Sequence, residues 1–210
     1  MPRVLVIGCG ALANELVGLT RQPGFEHVEV TCLPASFHNR PGGIPAAVRR
    51  KIRAGRSRYA TIFIAYADCG TGGLLDKVLA EEGVERLAGA HCYEFYAGRA
   101  AFAQITEDEP ATFFLTDFLA RNFERLVIRG LGIDRHPELL AIYFGNYQRL
   151  VYLAQSDDAG LELIARAAAE RLGLRYEQRR TGLGELAESL TALARSTAPA
   201  RVPAAAVGPA

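Results

Sequence analysis

The sequence lacks the features of several large classes of protein. No apolar run is long enough to span a bilayer, and the apolar stretch at the N-terminus is too short for the core of a signal peptide. No block of like charge stands out, and the formal net charge is only +1. The basic residues between Arg49 and Arg58 are interpreted as the solvated face of a helix. These absences predict a cytoplasmic protein that binds neither membranes nor nucleic acids.

The chain of 210 residues, half of them hydrophobic, fits one large domain with a sizeable core. We predict a single domain over residues 1–195 and a disordered, Ala/Pro-rich tail over residues 196–210. Within the domain, short apolar strands alternate with segments of helical periodicity. This alternation predicts an α/β fold with a mostly parallel sheet and helices on both faces, a Rossmann-like three-layer sandwich.

Three of the four cysteines directly follow, or lie in a loop shortly after, predicted strands. Cys9 follows the first strand, Cys69 the third and Cys92 the fourth, and each precedes or opens a helix. The carboxyl ends of parallel strands share one edge of a sheet, where ligands bind. Helix N-termini favour thiolates, and cytoplasmic thiols stay reduced, so we expect metal binding or reactivity and no disulfides.

Two histidines fall in the same set of loops. His38 follows the second strand, and His91 directly precedes Cys92. Thiolate and imidazole together suit zinc, whereas three thiolates suit an iron–sulfur cluster with one open iron. The predicted metal ligands are Cys9, Cys69, Cys92 and His91, and His38 is either a further ligand or a catalytic base. No local CxxC spacing is present to decide between the two metals.

Small residues and acids complete the predicted site. Glycine-rich turns let a backbone approach a ligand or cradle an anion. The residues expected to do so are Gly10, Gly70, Thr71 and Gly72. Glu94 and Asp117 are candidate catalytic acids or bases. Each could instead have a structural role. Glu94 lies in the first turn of a helix, where its charge suits the helix dipole, and Asp117 is at a helix start, where Thr116-Asp117 can act as a cap.

The remaining signals are weaker. Cys32 lies inside a strand and is interpreted as a small buried hydrophobe, and His27 is expected at the surface. Residues 8–13, Gly-Cys-Gly-Ala-Leu-Ala, match a dinucleotide-binding pattern. No acidic residue ends the second strand to bind a ribose hydroxyl, which argues against nicotinamide or flavin binding.

Several longer motifs together resemble a prokaryotic family catalogued as a domain of unknown function. They are Gly8-Cys9-Gly10-Ala11-Leu12, Leu33-Pro34 with His38-Asn39-Arg40-Pro41, Tyr66-Ala67-Asp68-Cys69-Gly70-Thr71-Gly72, His91-Cys92-Tyr93-Glu94, residues 112–119 and residues 131–139. The resemblance covers nearly the whole chain except the tail. Genes of that family often neighbour those of corrinoid-dependent methyltransferases. The resemblance therefore implies a corrinoid protein or methyltransferase as partner, and a corrinoid or folate as ligand.

Three functions stay open at this level. The first is a metal-dependent enzyme or accessory protein of corrinoid-linked methyl transfer or one-carbon metabolism, acting on a small molecule. The second is a metal-free enzyme in which Cys92 or Cys69 is the nucleophile and His38 or His91 the base. The third is a non-catalytic module that binds a corrinoid, a folate or a partner protein.

Overall fold

The computed structural model describes residues 3–198; the predicted tail lies outside this range from residue 199 onward. These described residues contain the strands β1 (Val4–Cys9), β2 (Val28–Leu33), β3 (Thr61–Ala65), β4 (Glu85–Arg86), β5 (Thr112–Thr116), β6 (Arg149–Ala154) and β7 (Arg175–Arg180). The α-helices are α1 (Ala13–Thr20), α2 (Ile44–Gly55), α3 (Leu74–Glu82), α4 (Cys92–Ala97), α5 (Arg99–Asp108), α6 (Asp117–Arg121), α7 (Leu139–Phe144), α8 (Ala159–Leu172) and α9 (Gly184–Thr197).

The strands form two parallel sheets with flanking helices, which confirms the predicted α/β, Rossmann-like architecture. The first sheet has the order β2-β1-β3-β4, and the second has the order β5-β6-β7. In the first sheet the chain runs from β1 outward to β2 and then returns to the other side of β1 as β3. The chain therefore reverses direction between β1 and β3, and the carboxyl ends of strands at such a reversal are where open parallel sheets bind ligands.

The central strands explain why this architecture is stable. Every residue of β1 and of β6 is buried, as expected for parallel strands covered on both faces. The residues of β1 lie in the hydrophobic core of the first sheet, and those of β6 lie in the core of the second. Helix α9, from the second half of the chain, packs in the core of the first sheet through Leu186, Leu190 and Ala194. The first sheet and its ligand-binding edge are therefore held in place partly by the last helix.

Several local predictions need correction. The sequence predicts one helix over residues 91–106, but the structure breaks it at Gly98, whose φ of 78° favours glycine. The sequence also predicts a helix over residues 134–142, which in the structure begins only at Leu139. His27 is buried, not at the surface, and its Nε2 lies 3.0 Å from the Thr197 hydroxyl at the end of α9. Within residues 3–198, no helix combines the length and apolarity that crossing a membrane requires.

The basic stretch behaves as predicted. Arg49, Arg53 and Arg56 lie on α2 or at its end and form ion pairs with α3, chiefly with Glu82. The stretch stabilises the packing of two neighbouring helices at the surface.

Candidate thiol site

Cys9 is the buried centre of the site. It ends β1, is only 3 % exposed, and its Sγ accepts a hydrogen bond from the Ala11 backbone N–H at 3.3 Å. This N–H belongs to the 3-10 turn that leads into α1. Backbone N–H groups at such a terminus stabilise a thiolate.

His38 approaches Cys9 from the loop after β2. Its Nδ1–H donates to the Ala35 carbonyl at 3.0 Å, and its Nδ1 and Nε2 lie 3.8 and 3.9 Å from the Cys9 Sγ. Hydrogen bonding to Cys69, then to Cys9, raises the pKa of His38 to about 11. The imidazole is therefore cationic at neutral pH and faces two thiols.

Cys69 follows β3 in a strained turn. Its φ of 51° makes it the one non-glycine residue with positive φ among residues 3–198. This conformation costs an L-residue roughly 1–2 kcal/mol and is concentrated at functional sites. The Cys69 N–H donates to the Ala90 carbonyl at 3.0 Å, which places the turn two residues from Cys92.

Cys92 brings the third thiol, as the first residue of α4. Burial, followed by the charges of Cys69 and Cys9, raises the pKa of the Cys92 thiol well above its ordinary value. The Cys92 thiol is therefore within electrostatic reach of Cys69 and Cys9, and all three thiols lie in or against the core of the first sheet. Burial and these two neighbours thus favour the neutral form of the Cys92 thiol.

Tyr66 lies in the buried interior of the site, next to Cys9, and the sequence did not single it out. It is 0 % exposed, and its hydroxyl has no well-oriented hydrogen-bond partner among the described residues although it lies beside the Cys9 sulfur. Burial, then the charge of Cys9 and the interaction of the hydroxyl with that sulfur, raise the pKa of the phenol. The phenol and the Cys9 thiol are therefore neighbours in the buried part of the site.

These thiols are close neighbours, but they are not arranged as the ligands of a single bound ion. Among residues 3–198, no group of three or more His, Cys, Asp and Glu side chains is arranged so that it could hold a metal ion. Binding of a single ion would therefore require the cysteine side chains to change rotamer. The alternative is a centre that contains more than one metal ion.

The predicted cofactor cradle is filled by the chain itself. The Asp68 carboxylate accepts hydrogen bonds from the Thr71 hydroxyl at 2.5 Å and from the backbone N–H groups of Gly72 and Gly73 at 3.0 and 2.9 Å. These contacts lower the pKa of Asp68. The turn holds Cys69 in its strained position, and Asp68 occupies the donors that an external anion would need.

His91 and Glu94 are arranged as a helix start. The Glu94 Oε1 accepts from the backbone N–H groups of Ala90 and His91, at 2.8 and 3.2 Å. His91 is exposed at the position before α4, and within residues 3–198 the imidazole that contacts a thiol is that of His38. A structural role thus accounts for the position of Glu94, as the sequence also allowed.

Asp117 belongs to a separate buried network at the end of β5. Its carboxylate accepts from the Tyr152 hydroxyl at 2.7 Å, from the Gln155 N–H at 3.1 Å and from the Ser156 hydroxyl at 2.5 Å. Thr116 caps α6 by accepting from the Leu119 N–H at 3.3 Å. The network fixes the carboxyl ends of β5 and β6, and Asp117 is not in contact with the thiols.

Gly10 is required by the close approach of two backbone segments. A Cβ at this position would lie 2.8 Å from the Leu33 oxygen and 2.9 Å from the Ala35 nitrogen, in the segment that leads to His38. We expect Gly10→Ala to lower the free energy of unfolding by roughly 1–3 kcal/mol, measured by urea denaturation. Gly18→Ala is the control, since nothing lies within 4 Å of its Cβ and helix propensity should make it neutral or stabilising. Equal losses in the two variants would contradict this role of Gly10.

Glu15 carries a buried carboxylate oxygen, Oε2, without a hydrogen-bond partner among the described residues. Burial raises the pKa of Glu15, so the folded state favours the neutral acid and ionisation costs stability above the unfolded pKa. We expect Glu15→Gln to stabilise the protein at neutral pH, by at most about 1 kcal/mol because the group is partly solvated. The gain should shrink as the pH falls towards about 4. Urea midpoints across this range test it, with the exposed Glu188→Gln as control; a gain that does not change with pH would contradict it.

Comparison with known proteins gives a family and no activity. No curated protein matches the chain. One family, described as "Protein of unknown function (DUF1638)", matches residues 32–190, a range that contains His38, Cys69 and Cys92 and leaves out Cys9. Because this range is most of the sequence, the chain belongs to the DUF1638 family of proteins of unknown function.

Proposed function

We propose that Cys9, Cys69 and Cys92 hold a metal centre at the carboxyl edge of the first sheet. The observation that carries the proposal is that three thiols, from the end of β1, the turn after β3 and the start of α4, lie in or against one core together with the buried Tyr66. The charges of Cys69 and Cys9 raise the pKa of the Cys92 thiol, so thiolates at this edge of a metal-free protein repel one another. A bound cation reverses this electrostatic balance and makes the same arrangement a set of thiolate ligands.

An iron–sulfur cluster fits the residues better than a single zinc ion. No three side chains in residues 3–198 are arranged around one ion, and a cluster spreads its thiolate ligands over a larger volume. Three cysteines would also leave one iron without a protein ligand, where a small-molecule substrate can bind. His38, cationic and 3.9 Å from the Cys9 sulfur, is placed to orient an anionic substrate group beside such a centre.

The metabolic setting is a separate proposal. The family resemblance implies a role as an enzyme or accessory protein in corrinoid-linked methyl transfer or one-carbon metabolism, with a corrinoid protein or methyltransferase as partner and a corrinoid or folate as ligand. This metabolic role is supported by the resemblance alone. Anaerobic co-purification with a corrinoid protein would support the role, and failure of a corrinoid protein to bind would overturn it.

A second candidate is a metal-free cysteine enzyme, favoured by one contact. The Cys9–His38 pair resembles a thiolate–imidazolium nucleophile, with the Ala11 N–H stabilising the sulfur. Against it, Cys9 is only 3 % exposed, so a substrate would have to reach a buried sulfur.

Elemental analysis and a visible spectrum of anaerobically purified protein test the first proposal. Iron with acid-labile sulfide and a brown colour would support a cluster, and near-stoichiometric zinc would support a single-ion centre. Protein that holds neither metal, before and after reconstitution, would overturn the proposal and favour the cysteine enzyme.

A further inference from the structure

The two sheets meet at a small polar cleft that the thiol site does not include. Helix α6 begins directly after β5 and contacts the 3-10 turn that follows β1. The cleft has a volume of about 220 Å³, and its polar lining includes Glu15 of α1, Asp117 and Arg121 of α6, and Gln155 and Ser156 after β6. These residues all follow the carboxyl ends of parallel strands, which is where such folds bind ligands.

Arg121 gives the cleft a cationic group with unused donors. The Asp117 carboxylate already accepts from Tyr152, Gln155 and Ser156, so both of its oxygens are occupied. The Arg121 guanidinium lies 3.9 Å from the Asp117 Oδ2, which is beyond hydrogen-bond distance. Its planar set of N–H donors matches the two oxygens of a carboxylate. Arg121 is therefore placed to bind the carboxylate of a ligand.

Glu15 has the opposite requirement. It lines the cleft, and its buried Oε2 has no hydrogen-bond donor within residues 3–198. Burial raises the pKa of Glu15, and the charge of Asp117 adds to that rise. Buried polar atoms without partners are rare in native proteins, and departures of this kind are expected at functional sites. A cationic donor in the cleft would favour the ionised form of Glu15 and supply the missing hydrogen bond.

We propose that this cleft binds a small zwitterion of the amino-acid class, with its carboxylate on Arg121 and its ammonium group beside Glu15 and Asp117. An anion alone would leave Glu15 without a donor and would face the charge of Asp117. A cation alone would leave the Arg121 guanidinium without an acceptor. The cleft is smaller than the roughly 300–1,000 Å³ of pockets for larger ligands, so a ligand of few heavy atoms fits it. The proposal does not depend on a metal at the thiols.

Calorimetric titration of the full chain with glycine, alanine and serine tests the proposal, with acetate and methylamine as the two halves of glycine. At least one of the amino acids should bind at least about tenfold more tightly than either half, because each half leaves one charged group of the cleft without its partner. Failure of all three amino acids to bind would overturn the proposal. So would acetate or methylamine binding as tightly as the amino acids.

Two variants assign the binding to the cleft. Glu15→Gln and Arg121→Gln should each weaken the affinity for the amino acid about 10- to 100-fold, because each removes one charged hydrogen-bond partner. Glu15→Gln should do so while the ligand-free protein becomes more stable, a combination that a purely structural role of Glu15 would not produce. Arg125→Gln is the matched control, since Arg125 is exposed, donates to the Asn122 side chain at 2.7 Å and lies outside the cleft lining. Unchanged affinity in either cleft variant, or an equal loss in Arg125→Gln, would overturn the assignment.

Discussion

Replacing Cys9, Cys69 or Cys92 with serine should lower the metal retained after anaerobic purification at least about tenfold. The thiols come from three different segments, the end of β1, the turn after β3 and the start of α4, so no remaining pair can reproduce the three-thiolate set. Serine keeps the size and the hydrogen-bonding capacity of the side chain, which separates loss of a ligand from loss of packing. Iron, zinc and sulfide content per chain, together with the visible spectrum, measure the effect.

Cys32→Ser is the control for this series. Cys32 lies inside β2 opposite Gly8, is partly buried, and packs against the same core. It should keep its metal, because Cys32 is in register with Gly8 whereas Cys9 is in register with Leu33, so the two thiols project to opposite faces of the sheet. Metal loss in Cys32→Ser equal to that in the other variants would show that the assigned ligand set is wrong. Metal retention in all three loop variants would contradict the account in the same way.

Gly184→Ala should be among the most destabilising single substitutions in the described part of the chain. A Cβ there would lie 2.4 Å from the carbonyl oxygens of both Phe95 and Tyr96, and the residue has φ of +46°. Overpacking and the left-handed backbone together should lower the free energy of unfolding by about 3 kcal/mol or more. The contact joins the start of α9 to α4, whose first residue is Cys92, so metal retention should fall as well.

Gly182→Ala separates the two causes. Gly182 has a similar φ of +56°, but nothing lies within 4 Å of its Cβ. It should lose only about 1–2 kcal/mol, the cost of the backbone conformation alone. Urea denaturation of both variants gives the packing contribution as the difference between them. If the two lose the same free energy, α9 does not hold α4 in the way described.

The placement of Cys9 and Cys69 at the carboxyl ends of β1 and β3 could be predicted because it follows from topology. Cys9 and Cys69 follow parallel strands, and parallel strands end at one edge regardless of side-chain detail. The order of strands could not be predicted, so the division into two sheets was missed. Apolar runs such as β6 show that a strand is buried, but they do not encode which neighbour it pairs with.

The details of the site depended on side-chain geometry that spacing does not encode. His38 and His91 both fall in the right loops, but only the fold shows that His38 turns towards Cys9 while His91 is exposed. The Gly-rich turn looked like an anion cradle because its own anion, Asp68, lies within it. One feature of the sequence could have identified Tyr66: its polar hydroxyl comes directly after the apolar run of β3, at the carboxyl end of the strand.

X-ray absorption at the metal edge tests the central claim most directly, because it counts the sulfur atoms bound to the metal. The account predicts a first shell dominated by sulfur, with either iron–sulfur and iron–iron distances of a cluster or about three sulfurs near 2.3 Å from zinc. This sulfur shell should lose intensity in Cys92→Ser and not in Cys32→Ser. A first shell of nitrogen and oxygen alone, in protein loaded with either metal, would contradict the claim that the three thiols form a metal centre.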